Sequence, residues 1–174
     1  MNKGRFAMPI SMYKVSVPIF VQILTSLSAV LDKAVAHAEE KKIDQSFLLN
    51  MRLYPDMYSL IRQVQQATSH PVRVCAVLTG TAPLDLPNTE TTFPDLQARI
   101  AKTIQYLKSF KPEQFEGSDD REVTASGRTL PGRVLLLTHI FPHFYFHCTT
   151  AYDILRHCGV VLVKSDFIGT RADI

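Results

Sequence analysis

The sequence lacks what would tie it to a polyanion, a bilayer or a disulfide framework. Its 174 residues carry 19 Lys and Arg against 16 Asp and Glu, a formal net charge of +3, and nowhere do five basic residues run together. Without a concentrated basic patch, neither nucleic acid nor an anionic membrane surface has an electrostatic partner here. Cysteine is scarce. Cys75, Cys148 and Cys158 make an odd set with no C-x-x-C pair, whereas a small secreted domain more often carries an even, paired set. The expectation is three free thiols and a cytoplasmic setting. No uninterrupted run approaches the roughly 20 apolar residues that span a bilayer. Lys3 and Arg5 ahead of apolar residues resemble the start of a signal peptide, but Pro9, Lys14 and Pro18 interrupt that segment. Internal repeats and long linkers are also missing.

What is present is an amphipathic, globular composition: 46% hydrophobic and 20% charged. The length predicts one domain, placed at residues 9–169, large enough to bury a sizeable core. In "SVPIFVQILTSLSAVLDKAVAHAEEKK", Ser16 can cap and Pro18 falls in the first turn. Phe20, Ile23, Leu24, Leu27, Val30, Leu31 and Ala34 then form one apolar stripe ending near Lys41 and Lys42. A second helix is predicted from Pro55 to Gly80, kinked at Pro71, with Met57, Leu60, Ile61, Val64 and Ala67 buried. A third starts at "TTFPDL", where Thr92 and Asp95 make a capping-box variant. Residues 111–132 hold three of the seven glycines and read as a loop or short hairpin excursion. The last helix is predicted from about Pro131 to His157, with an irregular strap after Gly159. The fold expected is all-α, a four-helix bundle.

The last helix contains "HIFPHFYFHCTTAYDILRHC", with four of the six histidines. On a wheel of about 100° per residue, His139, His143, His147 and His157 fall within roughly 80° of one another. The apolar face, centred on Leu137, Phe141, Phe144, Cys148 and Leu155, lies elsewhere. His139 and His157 are about 27 Å apart along the axis, so one ion cannot take all four. His143 and His147, one turn apart, can direct two nitrogens at one metal. The pair lacks the central Glu of a metalloprotease H-E-x-x-H. A third ligand must come from another helix: Asp56, Gln63 and His70 share a polar line on the second, and Asp32 and His37 lie on the first. A carboxylate or imidazole would serve a first-row metal well, and Gln poorly. Asp56 is also a suitable hydrogen-bond partner for a ligating imidazole. The plainer alternative is a row of boundary histidines bonded to carbonyls or water.

The segments "SVPIF", "RLYPDMYSLIRQVQ", "ETTFPDLQARIAKTIQYL" and "PHFYFHCTTAYDILRHCGV" occur in this order from about Pro9 to Gly169. Together they resemble a bacterial and fungal domain-of-unknown-function family of the DinB/YfiT-like superfamily of metal-dependent four-helix bundles. The resemblance implies a DinB-like bundle with a divalent metal on His143 and His147 and a further ligand early in the second helix, near Gln63. Family members often carry Asn at position 143, which implies a degenerate site in them and a fuller one here. Some superfamily members are thiol-dependent transferases or isomerases.

Two functions follow as expectations. One is a divalent-metal-dependent enzyme of hydrolase or thiol-dependent transferase type, with zinc or nickel on His143 and His147 and Gln63 or Asp56 as third ligand or supporting partner. The other is a metal-free bundle that binds a small molecule or a second copy of itself. A homodimer is expected on the resemblance and on the apolar "VVLV", which needs cover.

Overall fold

A computed structural model describes residues 11–125 and 127–171, so the readings placed on Lys3, Arg5 and Pro9 lie outside the described residues. The chain forms α1 (Val17–Lys41), α2 (Gln45–Asn50), α3 (Leu60–Thr79), α4 (Phe93–Lys108), a 3₁₀ turn at Pro112–Phe115, and a hairpin of β1 (Glu122–Ala125) and β2 (Arg128–Pro131). It continues with α5 (Gly132–Val134), a π-helical stretch (Leu135–Ile140), α6 (Phe141–His157) and α7 (Lys164–Ile168).

The four long helices close a ring in which α1 packs on α4, α4 on α3, α3 on α6 and α6 back on α1. One apolar cluster, running in sequence from Met12 to Leu162, fills the ring. The stripe predicted for α1 is buried as expected. By length and composition alone α1 could cross a membrane, with a mean hydropathy of 1.6 in its most apolar window. Its apolar stripe instead faces the bundle core, and the opposite side is polar, with Thr25, Asp32, Glu39 and Glu40 exposed.

Helix ends follow local chemistry, with two departures from expectation. Thr92 and Asp95 form the capping box at α4, the Asp95 amide donating to Thr92 Oγ1 at 3.2 Å. Ser16 does not cap α1, because its hydroxyl turns back to donate to the Met12 carbonyl at 2.5 Å. The second long helix begins at Leu60, not at Pro55. Pro55 occupies the second position of a turn closed by Met57 N–H to the Tyr54 carbonyl, a place that suits its fixed φ. An isolated bridge between Arg52 and Ser59 then closes the excursion. Pro71 lies inside α3 without ending it.

The excursion before the last helix is a hairpin, with Val123 opposite Leu130 and Thr124 opposite Thr129. It ends at Gly132, where a Cβ would collide with the Ser118 carbonyl and the Leu78 side chain, so only glycine allows this approach. The following stretch is π-helical, and the Phe141 N–H reaches back five residues to the Leu136 carbonyl. Pro142, with no N–H of its own, follows at once. The wider turn changes the register upstream of it. Leu137, expected in the core, is exposed, while Leu135, Leu136 and Ile140 are buried. The tail is partly regular: Val160 and Leu162 are buried, Val161 and Val163 exposed, and α7 lies against α1.

Candidate metal centre

Two helices supply the site. On α6, His143 and His147 are one turn apart and face α3. On α3, Gln63 and His70 are seven residues apart, two turns of one face. His70, His143 and His147 each offer a ring nitrogen, and these three atoms lie within 4.8 Å of one another. The rings of His70 and His147 are nearly parallel, with centroids 5.5 Å apart, and His143 lies 5.1 Å from His70.

Gln63 is not a member of this trio. It is buried behind His147, with its Oε1 2.7 Å from His147 Nδ1. Its Nε2 donates to the Tyr58 carbonyl at 3.2 Å, which turns the amide oxygen toward the imidazole. An amide oxygen can only accept, so His147 Nδ1 must carry the proton and Nε2 is left with a lone pair. This is the tautomer a metal requires, and it is held by the kind of outer contact that orients ligating histidines.

His70 is set differently. Its Nε2 is buried and has no hydrogen-bond partner, an orphan a bound ion would satisfy. Burial pushes the His70 imidazole down to about 3, and nearby positive charge on His147 and His143 would act in the same direction. Burial, then His143 and Arg62, lower His147 to about 4. Near neutral pH both rings are uncharged, as ligands must be. Three imidazoles converging on one point, with His70 and His147 uncharged, therefore fit a divalent ion.

His143 is exposed and opens the site to a cleft of about 570 Å³ whose other walls are Tyr58, Gln66, Pro142 and Phe146. His139 packs on His143 at 4.5 Å between centroids but is outside the trio, and His157 is exposed near the far end of α6. Asp56 is exposed in the turn before α3 and makes no hydrogen bond to the cluster. Tyr145 stacks on Phe141, away from the trio. All three cysteines are free, and burial raises the thiols of Cys75 and Cys148, which makes them packing groups rather than nucleophiles. Among the described residues, a groove of about 480 Å³ between α1 and α7 holds no such ligand cluster.

The sequence pattern of a family described as a domain of unknown function, DUF1993, matches residues 12–168. The chain belongs to the DUF1993 family. A solved structure, a DinB family member protein from Shewanella denitrificans, is 39% identical to this DUF1993 chain and superposes with a TM-score of 0.88. The match covers 91% of this chain and 92% of that one. The DUF1993 fold is thus a DinB-like all-α bundle, as the motifs implied. No curated protein matches the chain.

The sequence puts Asp56, Gln63 and His70 on one polar line and the resemblance implies a ligand near Gln63, whereas the histidine that converges with His143 and His147 is His70. The signal for His70 was its chemistry: of the three residues on that line it alone is an imidazole. The metal-free reading expects an aromatic-walled pocket from "FYFH" and "RLYPDM"; Phe146 of the first segment and Tyr58, just past the second, do line the cleft.

Proposed function

We propose that this protein is a divalent-metal-dependent enzyme in which His70, His143 and His147 hold zinc or nickel at one end of the bundle. The observation that carries the reading is the convergence of three ring nitrogens, with the His147 tautomer fixed by Gln63 and His70 carrying a buried nitrogen that has no partner among the described residues. Three nitrogen ligands with an open side are the pattern of a catalytic rather than a structural zinc site. When bound, such an ion supplies Lewis acidity and eases ionisation of a water or thiol in its open position.

The chain's own residues favour the transferase branch over the hydrolase branch. No carboxylate lines the cleft, so no side chain is placed to take a proton from water. A thiol, with an ordinary pKa near 8.5, needs far less assistance to ionise than water does. Tyr58 and Phe146, 49% and 54% exposed, offer flat apolar walls to a substrate. A cytoplasmic location is part of this proposal, supported by the three free thiols. So is a homodimer, on narrower ground than the whole "VVLV" segment: only Val161 and Val163 of it remain uncovered. Light scattering at micromolar concentration would return a dimer mass, and a monomer would remove that part.

The test is calorimetric titration of untagged protein with zinc and with nickel, comparing the wild type with the His143→Ala/His147→Ala double variant. The expected result is one equivalent bound by the wild type and none by the variant. Equal binding would end the metal reading and leave a metal-free binding bundle.

A further inference from the structure

His70 lines two spaces. One is the cleft of Tyr58 and Phe146, and the other is a smaller cleft of about 280 Å³ enclosed by α3, the π-helical stretch and the hairpin. The walls of the second cleft are largely apolar: Leu135 and Ile140 are buried there, and Val77 is half-buried. Four polar side chains break that surface, His70 among them. The hydroxyl of Thr124 is already engaged with Thr129 at 2.9 Å. His139 has no hydrogen bond among the described residues, and Arg73, exposed at the rim, has neither a hydrogen bond nor an ion pair among them.

Arg73 differs from most of the described arginines, sharing its unpaired state with Arg171 near the end of the described chain. The guanidinium groups of Arg52, Arg62, Arg99, Arg121 and Arg156 all donate to an oxygen of the protein. That of Arg133 pairs with Asp120. Among the described residues, no Asp or Glu lines the second cleft to neutralise Arg73. The cleft therefore presents one unpaired planar cation and a ring donor beside a branched-aliphatic wall. A guanidinium fork matches a carboxylate in two parallel hydrogen bonds. The apolar wall suits a hydrocarbon body. An inorganic phosphate would use the cation and leave the wall unmatched, and a neutral hydrocarbon would do the reverse.

We propose that the second cleft binds a small organic carboxylate with a short apolar chain, its carboxylate on Arg73 and His139 and its chain against Val77, Leu135 and Ile140. This goes beyond the metal reading and stands on separate side chains, apart from the shared wall of His70. That wall places the occupant one imidazole away from the metal.

The experiment uses full-length protein stripped of metal with a chelator, with hexanoate as the probe and hexanol as its uncharged match. Methyl resonances of Val77, Leu135 and Ile140, followed by carbon-edited NMR, are expected to shift saturably with hexanoate. Hexanol should bind about tenfold or more weakly, and Arg73→Gln should weaken hexanoate by a similar factor while Arg73→Lys restores part of it. Arg73 is exposed, so the variants should keep the wild-type circular dichroism and zinc affinity. Equal binding of hexanol and hexanoate, indifference to Arg73→Gln, or no shift of these methyls would overturn the proposal. So would shifts that appear only after zinc is added, because the carboxylate would then sit on the metal. Since the titration is done without metal, a failure of the zinc reading leaves its outcome unaffected.

Discussion

Helix α3 carries two buried polar clusters, one toward α4 and one toward α6, and their hydrogen-bonding states differ. Toward α4, Arg99 is 3% exposed, and all three of its guanidinium nitrogens donate. Nε bonds to Thr68 Oγ1 at 2.7 Å, Nη1 to the Pro87 carbonyl at 2.9 Å and to Glu90 at 2.8 Å, and Nη2 to Ser69 Oγ at 3.0 Å. Glu90 also accepts from Gln65 at 2.8 Å. Burial alone would raise the Glu90 carboxyl, but the Arg99 and Gln65 hydrogen bonds outweigh it and hold it below the usual range. Toward α6, the next residue after Ser69 is His70, whose Nε2 has no hydrogen-bond partner among the described residues. A cluster whose donors and acceptors satisfy one another has nothing left for a ligand and serves to pin the segment between α3 and α4. A cluster left with free lone pairs in a buried setting has binding capacity in reserve.

The largest effect expected from breaking this contrast is on the saturated side. Arg99→Ala should destabilise the fold by about 3 kcal/mol, toward the low end for breaking a buried pair because Glu90 lies near enough to the surface to turn to water. Urea unfolding measures it, and Arg99→Met combined with Glu90→Gln should cost less than Arg99→Ala alone. The open side should behave in the opposite way. His70→Ala is expected to lower zinc affinity at least about a hundredfold while leaving metal-free stability nearly unchanged, because it removes an unsatisfied group. His157→Ala, at the far end of α6, should change neither, and the same calorimetry reads both.

A smaller effect is expected at Gln63. Gln63→Leu removes the acceptor that fixes the His147 tautomer and should weaken zinc about 10- to 100-fold with the three imidazoles intact. If the affinity were unchanged, the tautomer argument would be wrong even with the trio correct. The mildest test is acid. His70 and His147 are held at about 3 and about 4 in the folded chain, against 6.5 in an unfolded one. Below pH 6.5 the unfolded chain therefore binds protons that the folded chain refuses, and stability falls as pH drops toward 4. Above pH 6.5 these two groups contribute no pH dependence. Thermal unfolding of metal-free protein should show a midpoint several degrees lower at pH 5 than at pH 7. The slope should flatten in the His70→Ala/His147→Ala chain.

Much of this architecture is legible along the chain. The stripe of α1, the capping box at Thr92 and the one-turn spacing of His143 and His147 are periodic or local signals, and each is set by residues within a turn or two of one another. The motifs carried the family placement for the same reason. Contacts between segments are less legible. Glu90 reads as a solvated turn acid until α4 brings Arg99 to it, and Leu137 reads as core until the π-helical stretch before Pro142 turns it outward. Gln63 and His70 sit on one polar line of α3, and nothing in their spacing says which joins His143 and His147.

The sequence alone determined an all-α bundle and a pair of imidazoles on its last helix, because helical periodicity and capping are properties of neighbours in the chain. Only the packing of α3 on α6 decided that His70 completes a trio while Gln63 stands behind His147, because the depth at which two helices meet is set by every side chain between them.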